Sequence, residues 1–188
     1  MGQVVLRVLA GLSGAVLVGS AAGCSSHPQA PAAHVASPTA MKTSAGSTLD
    51  PSAQAALTSY QASWNAVNQA GSTANYRLPA LAEYFHGQAY LLVSQNIFLY
   101  QKNGMVSRGA VVLHPHIVSE DLAAKPPTVT IADCVDDRHD LVYYSATGKP
   151  IDDDPGGFRT DSTVMTDLNG AWKATSLNVG AEGTCTPE

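Results

Sequence analysis

Phe158-Arg159-Thr160-Asp161-Ser162-Thr163-Val164-Met165-Thr166-Asp167-Leu168-Asn169-Gly170-Ala171-Trp172-Lys173-Ala174-Thr175-Ser176-Leu177-Asn178-Val179 reads as a β-hairpin. Both arms largely alternate apolar and polar residues. Asn169-Gly170 between them is the dipeptide best suited to a two-residue turn with positive φ at both positions. Working back from it, residues 141–145 and 128–134 read as two more strands, with Asp136-Asp137-Arg138 as a turn between them. A further strand is expected over residues 110–118. Ala110, Val112, His114, His116 and Val118 share one of its faces, and Val111, Leu113 and Ile117 the other. Lys125-Pro126-Pro127 breaks it.

Upstream of Gly104 the period changes from two to about 3.6. Asp50 can cap a helix whose first position is Pro51. Ala53, Leu57, Tyr60, Trp64 and Val67 form its apolar face, and Gly71 is the expected stop. A short helix is expected near Pro79, carrying Leu81, Tyr84 and Phe85. A third runs from Gly87 to Lys102, with Ala89, Leu92, Val93, Asn96 and Leu99 as the inner stripe and Asn103-Gly104 as its end.

Helices first and consecutive antiparallel strands after them are an α+β order. At this length it resembles the nuclear-transport-factor-2-like, or cystatin-like, cone. That resemblance implies a curved sheet around the N-terminal helix, Leu57 and Trp64 buried, and a pocket. Tyr60-Gln61-Ala62-Ser63-Trp64, Gly109 to Pro115, Asp133-Cys134-Val135-Asp136-Asp137, Asp154-Pro155-Gly156-Gly157 and Gly183-Thr184-Cys185 also resemble a group of actinobacterial secreted lipoproteins of unknown function. The resemblance covers most of the domain and implies fold and compartment, with no activity attached.

The N-terminus points the same way. Arg7 is followed by an uncharged, apolar run over residues 8–22, which ends at Ala21-Ala22-Gly23-Cys24. That run is about 15 residues, short of the roughly 20 that span a bilayer. Small residues directly before a cysteine resemble a bacterial lipobox, although Ala21 stands where that motif usually has Leu. Residues 1–23 are therefore expected to be a lipoprotein signal peptide, with lipid on Cys24 as the link to the membrane. Residues 24–49 are an Ala/Pro/Ser tether, too poor in apolar side chains to build a core. Residues 50–188 are a single α+β domain. His27 and His34 are isolated in the tether and make no metal motif.

Three cysteines are an odd number. With Cys24 lipidated, Cys134 and Cys185 are left to pair in an oxidising, extracytoplasmic compartment. Closing that loop stabilises the fold by roughly 4 kcal/mol in the chain-entropy description. Removing the leader takes Arg7 from the ten basic residues and none of the fifteen acids, so the net charge moves from −5 to −6. An acidic chain without a basic stripe is a poor nucleic-acid partner.

Three groupings could carry chemistry. Seven of the fifteen acids lie between Asp133 and Asp154. Asp136, Asp137, Asp140 and Asp152 to Asp154 could offer oxygen ligands to calcium, but their spacing is not an EF-hand, so they read as capping carboxylates in exposed turns. His114 and His116 point the same way on a strand and could chelate a transition metal, but no third ligand is near and Pro115 argues for an edge strand. Asp133, Tyr60, Tyr84, His86 and His114 supply the residue types of an isomerase or cyclase, in which a buried carboxylate moves a proton. Asp133 and His114 are the catalytic candidates of that reading. Tyr60, Trp64, Tyr84 and His114 are the binding candidates of the other. No cofactor or metal is expected. The leading expectation is a lipid-anchored, non-catalytic binding or accessory module of the cell envelope, meeting a small apolar ligand or an envelope protein. The alternative is an extracytoplasmic enzyme using the Asp/His pair.

Overall fold

A computed structural model describes residues 49–187. The leader, Cys24 and nearly all of the tether lie outside them. Helix α1 (Pro51–Thr73) begins as expected: Pro51 takes the first turn and the Asp50 carboxylate accepts the Ser52 N–H at 2.8 Å. It buries Ala53, Ala56, Tyr60, Ser63, Trp64, Ala66, Val67 and Ala70. Leu57, expected in the core, is only half-buried, because the inward stripe runs through Ala56 and Tyr60 and leaves Leu57 on its flank. The helix also passes its expected stop at Gly71 and ends at Ala74, which is left-handed (φ 51°). Gly71 instead permits a close approach to Ser107: a Cβ there would lie 2.6 Å from Ser107 Oγ.

Helix α2 (Pro79–Tyr84) and helix α3 (Gly87–Lys102) follow. The buried side of α3 is Ala89, Val93, Asn96, Ile97 and Tyr100, with Leu92 and Leu99 half-buried. That face is rotated from the expected one because the end of α3 serves a second, smaller core. There Tyr100 packs with Ala74, Met105 and Val142.

The strands form two antiparallel sheets. Strands β1 (Met105–Gly109) and β4 (Asp140–Tyr144) pair with each other. Strands β2 (His116–Asp121), β3 (Thr128–Asp136), β5 (Phe158–Asp167) and β6 (Trp172–Val179) form the larger sheet in the order β2-β3-β5-β6. Of the single strand expected over residues 110–118, only residues 116–118 lie in a strand, at the start of β2, while β1 ends before it in the other sheet. Two residues account for the break. Gly109 (φ 109°) stands where a side chain would overlap the His139 carbonyl oxygen, and Pro115 has no N–H to give to a ladder. Between them only Val112 pairs, bonding Asp136 in both directions at 2.9 Å. The expected alternation survives the break: Val111, Leu113 and Ile117 pack on the core, while Val112, His114, His116 and Val118 are exposed.

The β5–β6 hairpin turns at Asn169 (φ 62°) and Gly170 (φ 87°), as its sequence requires. One face of the large sheet carries Val129, Ile131, Val135, Met165 and Ala174 into the main core against α1. The domain is therefore α+β, helices before an antiparallel sheet. After β6 the chain turns back along β5, where Gly180 N–H bonds Thr160 O and Gly183 N–H bonds Phe158 O, each at 2.8 Å. Cys185 then joins Cys134 in a disulfide, Cα to Cα 5.9 Å, across 51 residues of sequence.

Candidate functional site

Strand alternation places every second residue of β3 beneath α1, and the same holds for β5. In each strand one of those inward positions is an aspartate. Asp133 and Asp161 are register partners across the β3–β5 ladder. Two like charges directly opposite each other are unfavourable unless something intervenes. Tyr60 of α1 does: its hydroxyl oxygen lies 2.9 Å from Asp133 Oδ2 and 2.8 Å from Asp161 Oδ2. Asp133 Oδ1 accepts the His114 backbone N–H at 2.7 Å, and Asp161 Oδ1 accepts the Thr163 hydroxyl at 2.9 Å. Tyr60, Asp133 and Asp161 are 1%, 4% and 1% exposed, so the three-residue cluster is sealed.

Burial raises both carboxyls above the usual range. Asp161 is pushed up to about 7, with the neighbouring Asp133 charge adding to the effect. Asp133 is raised against the pull of the His114 N–H and of Tyr60. Burial and both carboxylates together raise the Tyr60 hydroxyl far above its ordinary value, so it stays protonated.

The candidates read from the sequence separate into three places. Tyr60 and Asp133 meet in this buried cluster, and the Trp64 indole faces Asp161 beside them. His114 donates a hydrogen bond to Asp133 from its main-chain N–H; its ring is exposed, its Nδ1 lies 3.0 Å from the Cys134 carbonyl, and its charge also acts on Asp133. Asp133 and His114 are thus neighbours, with the His114 main-chain N–H as the hydrogen-bond donor between them. Tyr84 is half-buried elsewhere, on a shallow groove of about 520 Å³ with Trp172 and residues of α1.

The larger opening, about 620 Å³, is lined by His114, His116, Asp133, Cys134, Asp161 and Ser162 among others. Cys134 alternates with Asp133 on β3, as Thr160 and Ser162 do with Asp161 on β5. These side chains consequently stand on the face of the sheet opposite α1. Asp133 and Asp161 stand between them at the wall of the same opening, almost fully buried, with all four carboxylate oxygens engaged by Tyr60, the His114 N–H and Thr163.

The acidic cluster differs from its expected form. Asp136 and Asp137 are buried, at 4% and 9% exposed, where turns in water were expected. The reason is that each is bound to an arginine. Asp136 accepts Arg138 Nε at 2.8 Å and Nη2 at 2.7 Å, and this contact lowers its pKa. The guanidinium of Arg138 lies 4.4 Å from the centre of the Phe158 ring. Asp137 accepts Arg159 Nε at 2.6 Å and the Gly157 N–H at 2.6 Å, and Arg159 itself is 2% exposed. Asp153 is exposed, and Asp152 and Asp154 are half-buried with carboxylates on nearby backbone N–H groups. Among the described residues no group of three or more His, Cys, Asp or Glu side chains is placed to hold a metal ion.

Asp161 and Arg159 are the site residues that sequence reasoning missed. A signal was present: both share the inward register of β5 with Met165, and a charged residue in that register needs a buried partner.

No protein-family model matches the chain, and no curated protein does. Similar solved structures include the intermembrane-space region of the chloroplast protein ARC6, at 15% identity and a TM-score of 0.45, covering 72% of this chain and 100% of that one. Another is a domain of unknown function with a cystatin-like fold from Nostoc punctiforme, at 10% identity and a TM-score of 0.41, covering 72% and 81%.

Proposed function

We propose that this protein is a lipid-anchored, non-catalytic binding or accessory module of the cell envelope, attached to the membrane through Cys24. One observation carries the non-catalytic part. The side chains suited to proton transfer, Tyr60, Asp133 and Asp161, are bonded to one another and almost fully buried, so that although both aspartates lie at the wall of the open groove their oxygens are already engaged. A general base has to come within about 3 Å of the proton it takes. An exposed groove with two imidazoles, short hydroxyl side chains and a disulfide suits recognition better than acid–base chemistry.

The Cys134–Cys185 disulfide supports an oxidising compartment. A lipid anchor on Cys24 accounts for the third cysteine, and two or more acyl chains anchor a protein stably without a transmembrane helix. Mass spectrometry of membrane-extracted protein tests the anchor: the mature chain is expected to begin at a lipid-modified Cys24. A chain that starts elsewhere, or an unmodified Cys24, refutes it.

The isomerase-like alternative keeps one supporting observation, the desolvated tyrosine beside a raised carboxyl, which is a pairing that can stabilise an enolate. It requires a substrate to displace the contacts that Asp133 and Asp161 make with Tyr60. Asp133→Asn combined with His114→Ala separates the two readings. The binding reading has no turnover to lose. A folded double variant that loses an isomerase or cyclase activity present in the parent establishes the enzyme.

A further inference from the structure

Counting hydrogens at Tyr60 leads beyond a static contact. A phenol has one proton to donate, and an ionised carboxylate can only accept. Two carboxylate oxygens lie within 2.9 Å of the same Tyr60 oxygen. With both aspartates ionised, only one of these contacts is a hydrogen bond, and the other sets two oxygen lone pairs against each other out of water. We propose that Tyr60, Asp133 and Asp161 form a proton-linked joint: one carboxyl proton, held on Asp161, closes α1 onto the sheet, and its loss loosens α1.

The bonding order follows from the outer partners. The His114 backbone N–H can only donate, so Asp133 is the better carboxylate. The Thr163 hydroxyl beside Asp161 tolerates either state, because it can rotate to donate or accept. Asp161 Oδ2–H therefore donates to Tyr60 Oη, and Tyr60 Oη–H donates to Asp133 Oδ2. Ionisation releases the Asp161 proton to water and breaks the first of these bonds.

The groups that face the pair are Tyr60 and Trp64 from α1, Thr163 from β5 and His114 from the segment entering β2. Among the described residues no lysine or arginine is ion-paired with either carboxylate. No lysine or arginine therefore balances the charge left by ionisation, and the exposed His114 ring acts on Asp133. An aspartate of the unfolded chain ionises near 3.9, whereas folded Asp161 does so at about 7. The folded state holds the extra proton between those values, so stability falls as pH rises from about 4 to about 7 and levels off above that window. Helix α1 is the first element after the expected tether, and the joint makes its hold on the sheet responsive to the acidity of the compartment.

The test uses the full chain. Carbon-13 carboxyl NMR across pH 4 to 9 is expected to show Asp161 titrating near neutrality. Over the same range, hydrogen exchange of α1 amides, corrected for intrinsic rates, is expected to lose protection. Asp161→Asn, whose amide can donate to Tyr60 permanently, should make α1 protection independent of pH. Asp133→Asn should lower the Asp161 titration, since the neighbouring charge is gone and Tyr60 is free to donate to Asp161, while burial keeps it above the unperturbed value of about 3.9. If both carboxyls of the parent are already ionised at pH 5, or if Asp161→Asn keeps the parent's pH dependence, the joint does not exist. Should Asp161→Asn fail to fold, the titration of the parent decides alone.

Discussion

Asp137→Ala is expected to lower folding stability by about 3–5 kcal/mol, the range for removing one partner of a buried ion pair. The size comes from what the substitution leaves behind. Arg159 points inward from β5 with its side chain 2% exposed, and its Nε bonds Asp137 Oδ2 at 2.6 Å. The other contact, from Nη2 to Glu182, is longer at 3.4 Å and reaches a carboxylate that is 40% exposed. It cannot compensate for a guanidinium already out of water. Asp137 also accepts the Gly157 N–H at 2.6 Å, and that buried donor loses its side-chain partner in the same step. Urea denaturation of the variant measures the loss. Adding Arg159→Met should recover a substantial part of it, because the uncompensated charge is then gone. A single variant within about 0.5 kcal/mol of the parent, the usual range for surface changes, would show that the pair is solvated.

This buried pair also marks where the sequence stopped being readable. The hairpin around Asn169-Gly170, the caps at Asp50 and Pro51 and the alternation of Val111, Leu113 and Ile117 were all legible, because each is set by local stereochemistry or by a short period. The strand break at Gly109 was not. It depends on the His139 carbonyl, thirty residues away in the chain, occupying the space of a side chain. Likewise Asp136 and Asp137 have the composition of a solvated turn. Only the fold brings Arg159 to one of them, across the β3–β5 ladder. At the candidate site Tyr60 and Asp133 were visible as residue types, but the partner that gives them chemistry, Asp161, is set by the register Asp133↔Asp161. Register is a tertiary fact, and no spacing within either strand contains it. The Cys134–Cys185 bond was accessible for the opposite reason: with Cys24 assigned elsewhere, two cysteines leave one pairing.

Trp64→Ala is expected to cost about 3–5 kcal/mol, as for emptying a large core site. Trp64 lies four residues, about one turn, beyond Tyr60 on α1 and is 5% exposed. It fills the space between that helix and the large sheet. Its position makes the substitution more than a packing test. The indole faces Asp161, and burial is the largest of the effects that raise that carboxyl to about 7. A cavity opened beside a carboxyl is polar enough to admit water, unlike one lined only by hydrocarbon. Hydration favours the charged form, so the Asp161 titration should move down toward the ordinary aspartate value of about 3.9 in the same variant. Trp64→Phe, which keeps most of the volume, should lose less stability and shift the titration less. Denaturation and carboxyl NMR on the same samples read both effects. A Trp64→Ala variant that loses under about 1 kcal/mol would mean that α1 does not pack on the sheet as described. Large destabilisation with an unmoved Asp161 titration would mean that the indole fills the core without keeping water from the carboxyl.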